Sequence, residues 1–435
     1  MKTSLLSLLI LVPLEISLSA QQLALRSDEV QVVERGPHHR VWQRVTPYVT
    51  SYQKTYLRTN SYVEIATGMH YWKDGWVESQ EVIELFPDGA IARQGQHQVI
   101  FTPNLNTAGA IDLLTVDGKR FRSEVLGLAY TDAATGKSAL IAEPKDCLGE
   151  ISGNKVIYRD AFSGPFVADV RYTYTRGNFE QDVVIRQTPP SPADYGLDPA
   201  TIRLEMWTEF VEAPTPAKTT AVLKSQPDPA VRQAMVDPDL TDDTLDFGET
   251  GIGPGGAFPL EQPADGIGEL TAPVGKSWLV IDKRTFLVEK VDYTDIQQAL
   301  GQLPKAAVLQ RPPADKQQAK LQPRERLLVS LKPPPPRQTK APKKPMRMAA
   351  LAPAQKGFVL DYVQMTAQTN CTFKGDTTYY VSSSLNLSGT TLKQDYNHGR
   401  SGKDGRRHSI SRPQQEAGCV SQGTEQTKRK WKVLP

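Results

Sequence analysis

Asp169-Val170-Arg171-Tyr172-Thr173-Tyr174 puts Val170, Tyr172 and Tyr174 on one side of an extended chain and Asp169, Arg171 and Thr173 on the other. That period of two is what a half-buried β-strand requires. Outward from it, Lys155–Tyr158 precedes and Phe179–Arg186 follows, and Thr188-Pro189-Pro190 ends the set. Upstream, Asp74-Gly75, Asp88-Gly89 and Asp117-Gly118 each punctuate short runs rich in Val, Ile, Tyr, Phe and Trp. Asp tolerates positive φ and Gly has no Cβ to clash, so each pair is a hairpin turn, and the turns together predict a meander. A sheet with one dry face needs a second layer. The expected fold class is therefore all-β, an antiparallel β-sandwich-like body over 27–301.

Within that body the alternation fails over 212–270, where Pro, Asp and Gly accumulate. This stretch reads as an irregular insertion, with Pro229–Met235 a short helix. Lys276–Ile281 and Thr285–Val291 read as a last strand pair, and Asp295–Leu303 as a closing helix.

The chain ends read differently. Lys2, the apolar run Leu5–Val12 and the small residues Ser17, Ser19 and Ala20 have the layout of a secretory signal peptide over 1–20. The run is too short for a bilayer span, which takes about 20 apolar residues, and no other stretch predicts a transmembrane segment. Residues 304–353 hold eleven prolines, and 302–352 carry twelve Lys or Arg against Asp315 and Glu325. Residues 302–356 thus read as a disordered, Pro/Lys-rich linker. Phe358–Val363, Thr377–Ser382 and Leu385–Leu387 are strand-like again. Beyond Lys393 apolar residues are few and without period, so 393–435 reads as a disordered basic tail. The whole chain carries only +3, so the body that precedes these basic segments is acidic. Basic arms of this kind can contact the chain's own acidic body, anionic envelope or extracellular polymers, or nucleic acid, and charge alone does not choose among them. Export argues against nucleic acid.

Chemistry-bearing constellations are sparse. Tyr71, Trp72 and Trp76 surround one hairpin and would stack on sugar rings if exposed, or serve as core if not. Asp237, Asp239 and Asp242, with Asp243 and Asp246 nearby, could supply hard oxygen ligands to calcium, although the glycine of a sharp calcium loop is missing. His38, His39, His70 and His97 lack ligand spacing and read as solvated loop residues. Glu143, Asp146, Glu150, Asp160 and Asp169 could include an acid–base pair for glycosidic cleavage, or be ordinary strand carboxylates. Gly251-Ile252-Gly253-Pro254-Gly255-Gly256 lacks the Gly-Lys-Ser/Thr end of a phosphate loop. In an oxidising compartment Cys371 and Cys419 could form a disulfide, while Cys147 reads as a small buried side chain.

Val156–Phe162, Asp169–Tyr174 and Gly177–Ile185 together resemble a β-rich region near the start of very large secreted bacterial surface proteins, some of YD (Rhs-type) repeat architecture. Thr372–Tyr380 with Leu385–Thr391 resembles the start of a parallel β-helix. The resemblance implies a surface location and β architecture and brings no catalytic residue. A β-helix needs at least three stacked repeats of about 20 to 25 residues, so 357–392 reads as a remnant without a stacking partner. The expected function is an exported, non-catalytic structural or adhesive role at the cell surface or envelope. The alternative is a carbohydrate-binding or carbohydrate-active β-protein.

Overall fold

In the computed structural model Ala168–Tyr174 is a strand. Val170, Tyr172 and Tyr174 point into the core with at most 1% of their surface exposed. The structure describes residues 30–87, 89–260, 272–305, 346–348, 357–367, 378–382, 396–397, 408–411 and 430–434. The expected signal peptide therefore lies outside the described residues, as do most of the linker, Cys371 and Cys419.

The body is all-β, with two antiparallel walls around one core. In one wall, Glu84–Phe86, Gly89–Ala92, Gln98–Phe101, Ile111–Leu114 and Arg120–Asp132 form the predicted meander. Arg120–Asp132 then pairs with Ile202–Glu212, which pairs with Arg284–Asp292. In the other wall, Lys155–Tyr158, Ala168–Tyr174 and Asn178–Ile185 are successive neighbours. Ala272–Ile281 belongs to both walls: residues 272–274 pair with Gly255–Ala257, and 275–281 turn to pair with 284–290. Opposite this corner the walls meet at an antiparallel bridge between Asn104 and Leu148, so the sheet closes on itself.

Aromatic side chains fill the interior. Tyr172 stacks on Phe179 at 5.7 Å, and both lie against Phe101. Every buried tyrosine hydroxyl of this cluster donates a hydrogen bond: Tyr158 to the Thr102 carbonyl at 2.6 Å, Tyr172 to Gln181 Oε1 at 3.0 Å and Tyr174 to the His97 carbonyl at 2.9 Å. Such pairing lets tyrosine contribute its apolar area without stranding a polar group. Tyr293–Gly301 is the closing helix, buried through Ile296 and Leu300.

Two expectations are corrected. Over its described part, 212–260, the expected irregular insertion is regular; 261–270 lie outside the described residues. Ala217–Ser225, Asp239–Asp246, Thr250–Ile252 and Gly255–Leu260 are strands, and Pro229–Ala234 is a helix capped by the Asp228 carboxylate. Ala217–Ser225 is exposed on both faces and so shows no apolar period. Ladder bonds hold it, together with Lys218 on Asp243 at 3.1 Å and Lys224 on Asp292 at 3.0 Å.

Nor does the start of the expected remnant, residues 357–367, stand apart from the body. Gly357–Ala367 is a central strand of the body, antiparallel to Asn178–Ile185 on one side and to Thr250–Ile252 and Gly255–Leu260 on the other. Phe358, Val359 and Leu360 are at most 1% exposed. Part of the expected linker docks too: Met346 is buried, and Arg347–Met348 pairs parallel with Glu150–Ile151.

A second sheet carries the N-terminal strands Val30–Arg35, His39–Val49 and Thr55–Ile65. Thr378–Ser382 adds to it in parallel, beside Tyr62–Ile65, and His408–Ser411 and Lys430–Leu434 extend it.

Candidate functional site

His39–Val49 and Thr55–Ile65 form an antiparallel hairpin of eleven paired positions. Its base is fixed to the body. The His38 imidazole Nδ1 accepts from the Gly68 N–H at 3.0 Å, and His70 Nδ1 lies 2.8 Å from the Gly36 carbonyl. Gln96 donates to both the Pro37 and His70 carbonyls. Gly68 has φ +67°, and a Cβ there would sit 2.0 Å from the Arg176 carbonyl oxygen, so only glycine lets the chain pass this close. These histidines are not solvated loop residues. Burial pushes His38 and His97 each down to about 4, and His97 packs on the Tyr174 ring at 4.7 Å.

Beyond this base both faces of the hairpin meet solvent, and the register sorts its side chains. Arg40/Glu64, Trp42/Tyr62, Arg44/Asn60, Thr46/Arg58 and Tyr48/Tyr56 are opposed pairs at every second position, hence on one face. Trp42 stacks on Tyr62 with centroids 6.1 Å apart and planes 16° from parallel, and Tyr48 stacks on Tyr56 at 5.8 Å. The two aromatic pairs are separated by about 20 Å of strand. Between them lie Arg44, Asn60, Thr46 and Arg58. Tyr48 and Tyr56 are each about half exposed, at 50% and 48%.

At the inner end Arg40 grips Glu64 through two hydrogen bonds, at 2.6 and 3.1 Å, and the Trp42 indole N–H donates to the same carboxylate at 2.8 Å. Burial alone would raise the Glu64 carboxyl, but these donors outweigh it and hold it below the ordinary range. The Arg40 guanidinium also lies 4.8 Å over the Trp42 ring. The inner aromatic pair is thereby locked in place before any ligand arrives, which reduces the ordering cost of binding.

Tyr71, Trp72 and Trp76 sit on the adjacent short hairpin, His70–Trp72 against Trp76–Glu78, turned by Asp74 and Gly75 at positive φ. It is tied to the long hairpin by Arg40 and Glu78 at 3.5 Å. Trp72 is 66% exposed and Trp76 37%. Neither is core. Their rings meet edge to face at 5.3 Å, so they form a corner rather than a flat platform.

The other sequence candidates are placed apart from this face. Asp237 receives Arg203 at 2.6 Å and Lys290 at 3.4 Å, Asp239 is gripped by Arg232, and Asp242 holds Lys276 at 2.5 Å. Each of the three expected calcium ligands thus faces a protein cation. Among the catalytic candidates, Asp146 accepts from Asn104 and Asn106, Asp160 from Lys145, and Asp169 from Arg186. Glu150 is shared by Arg159 and Arg347, which outweigh the raising effect of burial and leave its carboxyl low. Half-buried Cys147 donates to the Arg159 carbonyl at 2.9 Å, and burial pushes its thiol up to about 12. A groove of about 90 Å³ runs along the outer barrel wall between Trp207, Leu279, Ile281 and Val288. At its edge the Trp207 indole donates to Glu205 at 2.9 Å, and burial raises that carboxyl.

No family model, curated protein or solved structure matches the chain. The long hairpin's aromatic face escaped sequence reading because a cross-strand register is needed to see it. Its turn, Ser51-Tyr52-Gln53-Lys54, contains none of the Asx-Gly signals that mark the other hairpins. Among the described residues no helix is long and apolar enough to cross a membrane.

Proposed function

We propose that the chain is an exported, non-catalytic adhesive protein of the cell surface or envelope, and that its N-terminal hairpin lies along an extended, acidic carbohydrate polymer. One observation carries the reading: two stacked aromatic pairs about 20 Å apart on one solvent-facing strand pair, with Arg44 and Arg58 between them. Rings present flat apolar area to sugar faces at little entropic cost, because their rotamers are few. Arginine's planar fork matches carboxylates and sulfates. Trp72 and Trp76 are exposed on the short hairpin whose Glu78 meets Arg40, the residue that lies over the Trp42 ring. A non-catalytic role is favoured because the carboxylates Glu150, Asp160 and Asp169 are each engaged by Arg or Lys.

Affinity electrophoresis of the mature protein through gels holding neutral or uronic-acid polysaccharides tests this. Retardation by the acidic polymer, weakened by salt and lost in Trp42→Ala and Tyr56→Ala, is the expected result. Equal mobility in every gel overturns the proposal, and release of reducing ends would return the enzyme reading.

A further inference from the structure

Lys276 has no exposed surface. Its Nζ lies 2.5 Å from Asp242 Oδ1, and Asp242 is itself 4% exposed. Directly across the strand pair from Lys276 stands Glu289, also without exposed surface. Opposed residues of neighbouring antiparallel strands have Cβ atoms about 5 Å apart. An amine and a carboxylate thus touch in the interior, and the residue opposed to the lysine carries a second carboxyl group. Around them Val274 and Leu287, on the same strand faces, and Met206, paired with Glu289, are fully buried.

The backbone is shaped to bring Lys276 and Asp242 together. Lys276 follows Gly275, the corner where its strand leaves one wall for the other. A Cβ on Gly275 would lie 2.3 Å from the Thr241 carbonyl oxygen. Glycine there lets the two backbones touch, and the next residue of each chain, Lys276 and Asp242, is delivered to the other. A buried ion pair of this kind recovers little of its desolvation cost and is a weak source of stability. As a reaction site the same geometry has a use.

We infer that Lys276 and Asp242 condense to an intramolecular isopeptide bond, with Glu289 as proton carrier. In the first step one proton moves along the 2.5 Å hydrogen bond from Nζ to Oδ1, leaving an amine and a carboxylic acid. The Nζ lone pair then attacks Asp242 Cγ, the atom bonded to the Oδ1 that Nζ already touches. Glu289 accepts the proton lost by Nζ and delivers it to the departing hydroxyl of Asp242. One Nζ–Cγ bond forms, one Cγ–O bond breaks, one water leaves and Glu289 is regenerated. No oxidant or cofactor takes part. The product ties Asp239–Asp246 to Ala272–Ile281 across the corner where the two walls join.

The test is peptide mass spectrometry on the full chain, denatured and digested. The sequence holds no Lys or Arg between Arg232 and Lys276, and trypsin cannot cut at an acylated lysine. The expected tryptic peptide is therefore Gln233–Lys283, one water lighter than its sequence mass. A further cut after Glu249 should leave the two halves attached. Asp242→Asn should still join but expel ammonia in place of water, and Glu289→Gln should retain the unjoined mass for at least tenfold longer. A wild-type digest yielding Gln233–Lys276 at its full sequence mass, after prolonged incubation of the folded protein, overturns the inference. Polymer binding by the hairpin plays no part in this outcome.

Discussion

Each strand of the N-terminal hairpin is eleven residues long, as is the strand Gly357–Ala367, yet the hairpin and that strand are held by opposite means. The strand is flanked on both sides by neighbours, and its first apolar residues are sealed in the core. The hairpin is fixed at its base, and among the described residues its outer half, with Tyr52 at 85% and Leu57 at 72% exposure, rests on cross-strand pairs. The strand's free energy comes from removing apolar area from water, at about 25 cal/mol per Å². The hairpin leaves its apolar area in water, which a protein sustains where that surface has a partner.

The largest effect is expected where the strand is broken. Leu360 is fully buried, and Leu360→Asp places a carboxylate among Val183, Ala257 and their neighbours. A loss above about 4 kcal/mol follows, enough to unfold a domain of ordinary stability. Far-ultraviolet circular dichroism and a thermal melt would show it. A cooperative melt within a few degrees of wild type would mean that the strand is not integral to the body.

An intermediate effect is expected at the junction of the two regions, and it depends on pH. His38 and His97 titrate near 4 in the folded chain against about 6.5 unfolded. Between those values the unfolded state binds more protons, so stability rises with pH there: it is fully present above about 6.5 and lost as pH falls toward 4. Each histidine accounts for roughly 3 kcal/mol at the acid limit. Urea midpoints measured from pH 7 to 4.5 should fall with a slope approaching two protons, and His97→Gln should remove one of them. A midpoint flat across this range would place these imidazoles in water.

What could be read from the residues follows the same division. The meander, the strands of 155–186 and both helices were legible because buried strands write their period into side-chain type. Phe358–Val363 was also legible as a strand, but its place was not. A proline-rich stretch announces a spacer, and nothing in the composition of 302–356 tells that the chain returns to fill a gap between Asn178–Ile185 and Gly255–Leu260. Ala217–Ser225 was missed for the converse reason: its partners are Asp243, Asp292 and Asp295, and ion pairs leave no period. Tyr71, Trp72 and Trp76 were found as a cluster, and only burial decided that the two tryptophans face water. The Trp42/Tyr62 and Tyr48/Tyr56 pairs join residues 20 and 8 positions apart, a relation that exists only once register is set.

The smallest effect on stability is expected at the hairpin tip, and there the comparison becomes sharpest. Tyr48→Ala and Tyr56→Ala each remove one ring of a half-exposed pair. An aromatic cross-strand pair contributes about 0.2–1 kcal/mol, so the melting temperature should move by no more than a few degrees. The same change removes a stacking surface, and losing about 1.4 kcal/mol of contact weakens binding to an acidic polysaccharide tenfold. A tip that alters binding and leaves the melt in place is a recognition surface. If both rings could be removed with no change in either measurement, their exposure would serve no partner. If the melt collapsed with them, the tip would belong to the folded core in energetic terms and the contrast with Gly357–Ala367 would vanish.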